Sequence, residues 1–306
     1  MKKIFSLLIL LSMIVFPQYN SRLIIEGTPE EAILNAQHSP DGTKIAFTKS
    51  GYQGLWVFNL IDNSTIQISD EMAAGFGYQW ASDSRSILTR VAKYENQKRF
   101  NAVKIFNTET NTSNQLTEYQ TLMPYLPQWM DGDSKIYLPT KTSDQVYNSG
   151  LEKQSSLINK YLVYEKGNKI NIQEISTNSL RSFEPLREAE YINISLSPDQ
   201  TKIVFEVMGG NLFVINIDGS GMVDLGKGNR PKWSPDSKSI VYMITEDNGY
   251  EFTSSDIYLI NADGRNKAKL TNTDTIIEMT PSFSPDGKSI LFENYHEGSI
   301  YLMNIE

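Results

Sequence analysis

The chain has 306 residues, 40% of them hydrophobic and 11% aromatic, enough for a substantial core in one large or two ordinary domains. Its 28 basic and 36 acidic residues leave a net charge of -8, which repels nucleic-acid backbones and anionic lipid surfaces. There is no cysteine, which excludes disulfides, thiolate metal sites, thiol catalysis and a lipid-modified N-terminal cysteine; only two histidines are available for acid-base or metal chemistry.

The chain opens on "MKKIFSLLILLSMIVFPQYNS", where Lys2 and Lys3 precede an apolar run from Ile4 to Phe16. This is the layout of a secretory signal peptide over residues 1–20, too short to span a bilayer comfortably. A clear small-x-small cleavage pair is missing, so the segment is expected either to be removed or to stay as an anchor. Export places the protein in the periplasm or outside the cell, with membrane contact only through this segment. "RLIIEG" (22–27) follows and reads as a strand, and "TPEEAILNA" (28–36) carries the one other hint of helical periodicity.

From here a phrase recurs: "HSPDGTKIAFTK" (38–49), "WASDSRSILTRV" (80–91), "WMDGDSKIYLPT" (129–140), "LSPDQTKIVFEV" (196–207), "WSPDSKSIVYMI" (233–244) and "FSPDGKSILFEN" (283–294). The spacings are 42, 49, 67, 37 and 50 residues, mostly the length of a four-stranded propeller blade. Within each phrase, proline and the Asp-Gly type pair enforce a tight reversal, and the apolar triplet begins a strand covered on both faces. A third run follows, as in "GLWVFNL" (54–60), "NLFVINI" (211–217), "DIYLINA" (256–262) and "SIYLMNI" (299–305). Hairpin pairs such as Asp218-Gly219 and Asp263-Gly264 then lead to short fourth strands, for example "MVDLG" (222–226) and "KAKLT" (267–271). The expected fold is an all-β, six-bladed propeller of four-stranded antiparallel blades over residues 21–306. The 67-residue interval is read as a loop insertion at 141–159, with a degenerate seventh blade starting near Ser155 as the alternative. The last unit stops after its third strand, so residues 22–27 are expected to supply the fourth and close the ring.

The repeat "SPDG-x-x-I-x-F", followed by "x-I-Y-x-x-N-x-D-G" and "L-T", resembles that of TolB-type propeller proteins over roughly residues 22–306. TolB itself carries an α/β domain before its propeller, whereas this chain passes from signal segment to first blade in about twenty residues. The resemblance implies a rigid platform for protein or ligand binding rather than a chemistry.

No catalytic, cofactor-binding or metal-ligating set is found. Gly-x-Ser-x-Gly is absent, and Gly75-Phe76-Gly77 lacks the remainder of a dinucleotide fingerprint. Asp131-Gly132-Asp133 is at most a weak cation site, and His38 falls at a pre-turn packing position. Asp41, Asp83, Asp199, Asp236 and Asp286 recur at one position of a tight turn, which assigns them to turn structure. Contacts with a partner are expected instead from aromatics and His296 in variable loops gathered on the channel face: Tyr94, Phe100, Tyr147, Tyr250, Phe252 and His296. The function inferred is a non-enzymatic exported scaffold binding another envelope or secreted protein, with small-ligand or glycan binding in the central channel as the alternative, and a propeller enzyme of unrecognised type as a third reading.

Overall fold

A computed structural model describes residues 19–154, 159–273 and 275–306. The segment read as a signal peptide lies almost wholly outside the described residues. Among those residues no helix is long and apolar enough to cross a membrane.

The strands occur in a repeated order. After β1 (Ser21–Ile25) come β2 (Ile33–His38), β3 (Lys44–Lys49), β4 (Gln53–Asn59) and β5 (Thr65–Met72). Next are β6 (Gln79–Trp80), β7 (Ser86–Glu95), β8 (Lys98–Asn107) and β9 (Thr112–Gln115), then β10 (Gln128–Met130), β11 (Lys135–Leu138) and β12 (Gln145–Asn148). They are followed by β13 (Tyr161–Glu165), β14 (Ile170–Glu174) and β15 (Ser179–Phe183), and by β16 (Tyr191–Leu196), β17 (Lys202–Val207), β18 (Asn211–Asn216) and β19 (Val223–Lys227). The last are β20 (Asn229–Trp233), β21 (Ser239–Asp247), β22 (Phe252–Asn261), β23 (Ala268–Lys269), β24 (Glu278–Phe283), β25 (Ser289–Asn294) and β26 (Ser299–Asn304).

Pairing sorts these strands into antiparallel meanders. One eight-stranded sheet consists of two meanders, β2–β5 and β6–β9, that meet through the single pair Met72 and Ala92. The described residues therefore form seven units rather than the six phrases counted in the sequence. The extra unit sits in the 67-residue interval. Gln145–Asn148, expected within an insertion, is the third strand of the β10–β12 sheet, and β13–β15 form a separate three-stranded sheet. Its first hairpin turns through Gly167 and Asn168, both at positive φ, instead of through a Ser-Pro-Asp turn. That substitution of turn chemistry is why the repeat phrase is missing there.

β1 pairs with β26 through Ser21 with Met303, Arg22 with Leu302 and Leu23 with Tyr301, so the early strand completes the sheet of β24–β26. Gly27 then runs so close to the β25–β26 connection that a Cβ would lie 1.9 Å from the Gly298 carbonyl oxygen. The segment "TPEEAILNA" enters β2 after a short turn instead of forming a helix. Its Asn35 takes φ 56°, a bulge conformation incompatible with a continuing helix.

Buried clusters fill each junction between successive units. Leu55, Tyr78 and Ile87 pack together at the first, and Leu88, Trp129 and Ile136 at the second. Tyr137 with Tyr164, then Ile172 with Phe205, continue the series. Val204 meets Trp233, and Val241 meets Ile290. Ile25, Ile33, Phe47 and Leu291 join the last unit to the first. The first strands β13, β16, β20, β24 and β2 approach their successors, whereas outer strands such as β9 and β15 are mostly exposed. First strands thus line the centre and last strands form the rim. Pre-turn tryptophans reinforce the centre: Trp80, Trp129 and Trp233 each donate an indole N–H to a first-strand carbonyl of the preceding unit, at Gln37, Gln79 and Ser195.

Candidate functional site

The two ends of the strands carry different chemistry. At the end formed by the repeated phrase, a serine hydroxyl donates to the turn aspartate at 2.6 Å in Asp41, Asp199, Asp236 and Asp286. The same carboxylates accept the N–H of Thr43, Thr201, Lys238 and Lys288. Asp83 instead accepts the N–H groups of Arg85 and Ser86. In Asp236 and Asp286 the serine bond, followed by the backbone bond, holds the carboxyl below its ordinary value. Neighbouring turns are also linked: Asp41 N–H donates to Ser84 Oγ, Ser82 N–H to Asp133 Oδ2, and Asp199 N–H to Ser237 Oγ. Asp133, considered above with Asp131 as a weak cation ligand, is thereby engaged by the preceding turn. His38 borders this end; burial depresses its imidazole to about 4, against a smaller opposing influence of Asp286. No group of three or more His, Cys, Asp or Glu side chains suited to a metal ion exists among the described residues.

At the opposite end a structural device of the first strands becomes a site. Four of them carry a bulge whose leading residue has positive φ: Asn35 (56°), Asn193 (51°), Arg230 (52°) and Thr280 (49°). A bulge leaves a backbone N–H outside the ladder. The second strand of the preceding unit receives it: Arg230 N–H donates to Glu206 Oε2 at 2.8 Å, Asn35 N–H to Glu293 Oε1 at 2.5 Å, and Thr280 N–H to Met243 Sδ at 3.3 Å. Glu206 and Glu293 are both buried. Burial pushes Glu293 up to about 7, with the Thr280 side chain first, then the bond from Asn35 and the charge of Arg230, acting in the other direction.

Where the last three junctions meet, Arg230, Thr280, Glu293 and Asn35 line a cavity of about 190 Å³ whose walls include Leu34, Tyr52, Phe252, Met279 and Tyr295. Phe252 meets Tyr295 edge-on, with ring centroids 5.6 Å apart and planes at 89°. Two larger clefts, of about 510 and 560 Å³, flank the sheet completed by β1, but the smaller cavity is where cation, buried acid and aromatic walls converge. Lys232, two residues beyond Arg230 on β20, is exposed and stands outside the lining of that cavity.

The predicted contact residues are distributed unevenly. Phe252 lines the cavity, and His296 lies beside it, exposed, with its ring 5.7 Å from that of Tyr295. Tyr250 is 99% exposed at the tip of the β21–β22 hairpin. Tyr94 is 56% exposed on the β7–β8 hairpin, paired with Arg99, and Phe100 on the same hairpin is half-buried opposite Lys93. Tyr147 is not in a loop: it stands in β12 opposite Ile136 and packs half-buried against the core around Leu88 and Trp129. Sequence reasoning missed Tyr52, Arg230, Lys232, Glu293 and Tyr295. The acids left a trace, because "IVFEV" and "ILFEN" both place Glu directly after the apolar triplet, a buried register.

No family model matches the chain, and no curated protein matches it. Its fold is similar to that of TolB from Agrobacterium tumefaciens, at 16% identity and TM-score 0.55, covering 90% of this chain and 91% of that one. It is also similar to oligogalacturonate lyase from Vibrio parahaemolyticus, at 12% identity and TM-score 0.52, covering 94% and 97%. A further oligogalacturonate lyase, solved in complex with manganese, matches at 14% identity and TM-score 0.51, covering 90% and 78%. The chain therefore has a β-propeller fold of the TolB-like kind.

Proposed function

We propose that the chain is an exported, non-catalytic propeller of seven blades, closed by β1, that binds another envelope or secreted protein through two projecting hairpins. The observation that carries this reading is the length of two meanders. β7 and β8 have ten residues each, and β21 and β22 have nine and ten, where β17, β18, β25 and β26 have six. Three or four extra residues at about 3.3 Å each extend a hairpin by about 10 to 13 Å relative to those six-residue strands. Tyr94 and Tyr250 stand exposed on these extensions. Convex, polar hairpins bearing exposed tyrosines suit the surface of a protein partner better than an enclosed ligand. Closure is supported by the pairing of β1 with β26 and the apolar cluster joining the last unit to the first. Export rests on the lysines and apolar run at residues 2–16.

A photoreactive residue in place of Tyr250 should crosslink one protein in the native envelope. Reciprocal pull-down should retain that partner with the unsubstituted chain and lose it with Tyr94→Ala/Tyr250→Ala. Equal retention by the double variant would overturn the hairpin reading, and cytoplasmic accumulation of the full chain would overturn export.

A further inference from the structure

We propose that the cavity lined by Arg230 binds a carboxylate attached to an apolar group, with the carboxylate on Arg230, whose neighbour Lys232 stands outside the lining, and the apolar group against Phe252 and Met279. This stands independently of the hairpin reading. It rests first on charge. In a chain of net charge -8, Arg230 and Lys232 lie two residues apart on an innermost strand, and neither is in an ion pair among the described residues. Two neighbouring cations with no carboxylate at ion-pair distance repel each other, and one bound anion relieves both. The nearby acids are hydrogen-bonded elsewhere: Glu206 accepts from Asn193, Asn229 and the backbone of Arg230, and Glu293, whose neutral form burial favours against the charge of Arg230, accepts from the backbone of Asn35.

Backbone geometry makes the same point. Two of the equivalent bulges carry Asn35 and Asn193, a residue type suited to positive φ, whereas Arg230 and the β-branched Thr280 are costlier occupants. The bond from Arg230 N–H to Glu206 fixes that backbone, so the side chain begins from a set position at the cavity wall. The shape of the cavity supplies the second half of the ligand. An apolar cavity of about 150 Å³ accepts a benzene ring; this one, at about 190 Å³, has room for a benzyl or branched aliphatic group. Phe252, held edge-on by Tyr295, gives it a rigid aromatic wall.

The ligand could be a free small acid or the C-terminus of a polypeptide ending in an apolar residue, and both present the same chemistry. Calorimetric titration of the full chain with N-acetyl-phenylalanine should give saturable binding, about tenfold or more weaker for N-acetyl-phenylalaninamide and for acetate. A pentapeptide ending in phenylalanine that binds at least as tightly as the single acid, and loses this on amidation, identifies a chain terminus; binding of the single acid alone identifies a small molecule. Arg230→Asn, which installs the residue type of two of the other bulges, and Lys232→Gln should each weaken the acid, the first by about tenfold, while the melting curve is unchanged. Tyr94→Ala/Tyr250→Ala should leave the affinity intact. No saturation by any of the acids, equal binding of the amide, or unaltered affinity in Arg230→Asn would overturn the proposal.

Discussion

One end of the strands repeats itself around the molecule and the other end does not. At the turn end, four aspartates make the same pair of bonds and neighbouring turns are stitched by serine or aspartate. At the opposite end two hairpins extend, one bulge carries arginine, and buried glutamates replace ladder bonds. Repetition is what a ring of equivalent junctions requires for stability. Departure from it, concentrated in the units containing β6–β9, β20–β23 and β24–β26, is where a partner or ligand can be recognised.

The largest effect is expected at the seam that both ends share. Removal of residues 21–25 exposes the edge of β26 and uncovers Ile300, which is fully buried. A loss of several kcal/mol should lower the melting temperature by about 10 °C or more in a differential scanning measurement. Gly27→Val tests the seam without removing a strand, because its Cβ would meet the Gly298 carbonyl backbone. An unchanged melt in both variants would mean that β1 does not hold the ring.

The buried acid of the bulge end and the buried histidine of the turn end should respond to pH in opposite senses. Glu293 is raised from 4.5 to about 7 in the folded chain, so its contribution is complete below pH 4.5 and is lost as pH rises through 7. Glu293→Gln keeps an acceptor for Asn35 N–H and should be more stable than the unsubstituted chain at pH 8 by up to roughly 3 kcal/mol, with the difference vanishing near pH 4. His38 is depressed from 6.5 to about 4, so its contribution is present above pH 6.5 and is lost as pH falls through 4. His38→Phe, the residue type found in Phe283 at the corresponding position, should remove that acid sensitivity. Denaturant titrations at pH 4, 6 and 8 would show crossed slopes for the two variants, and parallel slopes would refute the assignment.

Breaking the repetition at one turn should cost less. Asp286→Ala removes the acceptor for Ser284 Oγ and Lys288 N–H, and a loss of about 1 kcal/mol is expected. Asp199→Ala should cost about the same, and the double variant should be additive, because the two turns belong to units with another between them. A markedly larger loss at one turn, seen as a displaced urea midpoint, would give that aspartate a role beyond its turn.

How far this division was legible in the sequence follows from which physical rule set each part. Turn chemistry is local, so Ser-Pro-Asp-Gly and the apolar triplet revealed β2 with β3, β16 with β17, β20 with β21 and β24 with β25. The β13–β15 unit reverses through Gly167-Asn168, an equally good turn without the phrase, so the 67-residue interval reads first as a loop insertion at 141–159 and only second as a further blade starting near Ser155. Tyr147 looked like a loop aromatic because Gln145–Asn148 has no run of apolar residues; its pairing with β11 is a long-range matter. The cavity was the least legible. Arg230, Glu293 and Tyr52 come from three different units, and only the order of units around the centre brings them together.

The smallest effect on stability, and the largest on function, is expected at the hairpin tips. Tyr250 is 99% exposed and Tyr94 56%, so truncation to alanine leaves no cavity and no orphaned polar group. Tyr94→Ala and Tyr250→Ala should each fall within about 0.5 kcal/mol of the unsubstituted chain in urea denaturation. Phe252→Ala is the contrasting control. That ring lines the cavity and packs on Tyr295, so its loss should cost about 2 kcal/mol and weaken acid binding as well. If the tip variants instead unfold early, those tyrosines serve the blade and the hairpins are structural extensions. If they are silent in stability yet abolish partner retention, the aromatic tips are the contact and the rest of the hairpin is their support.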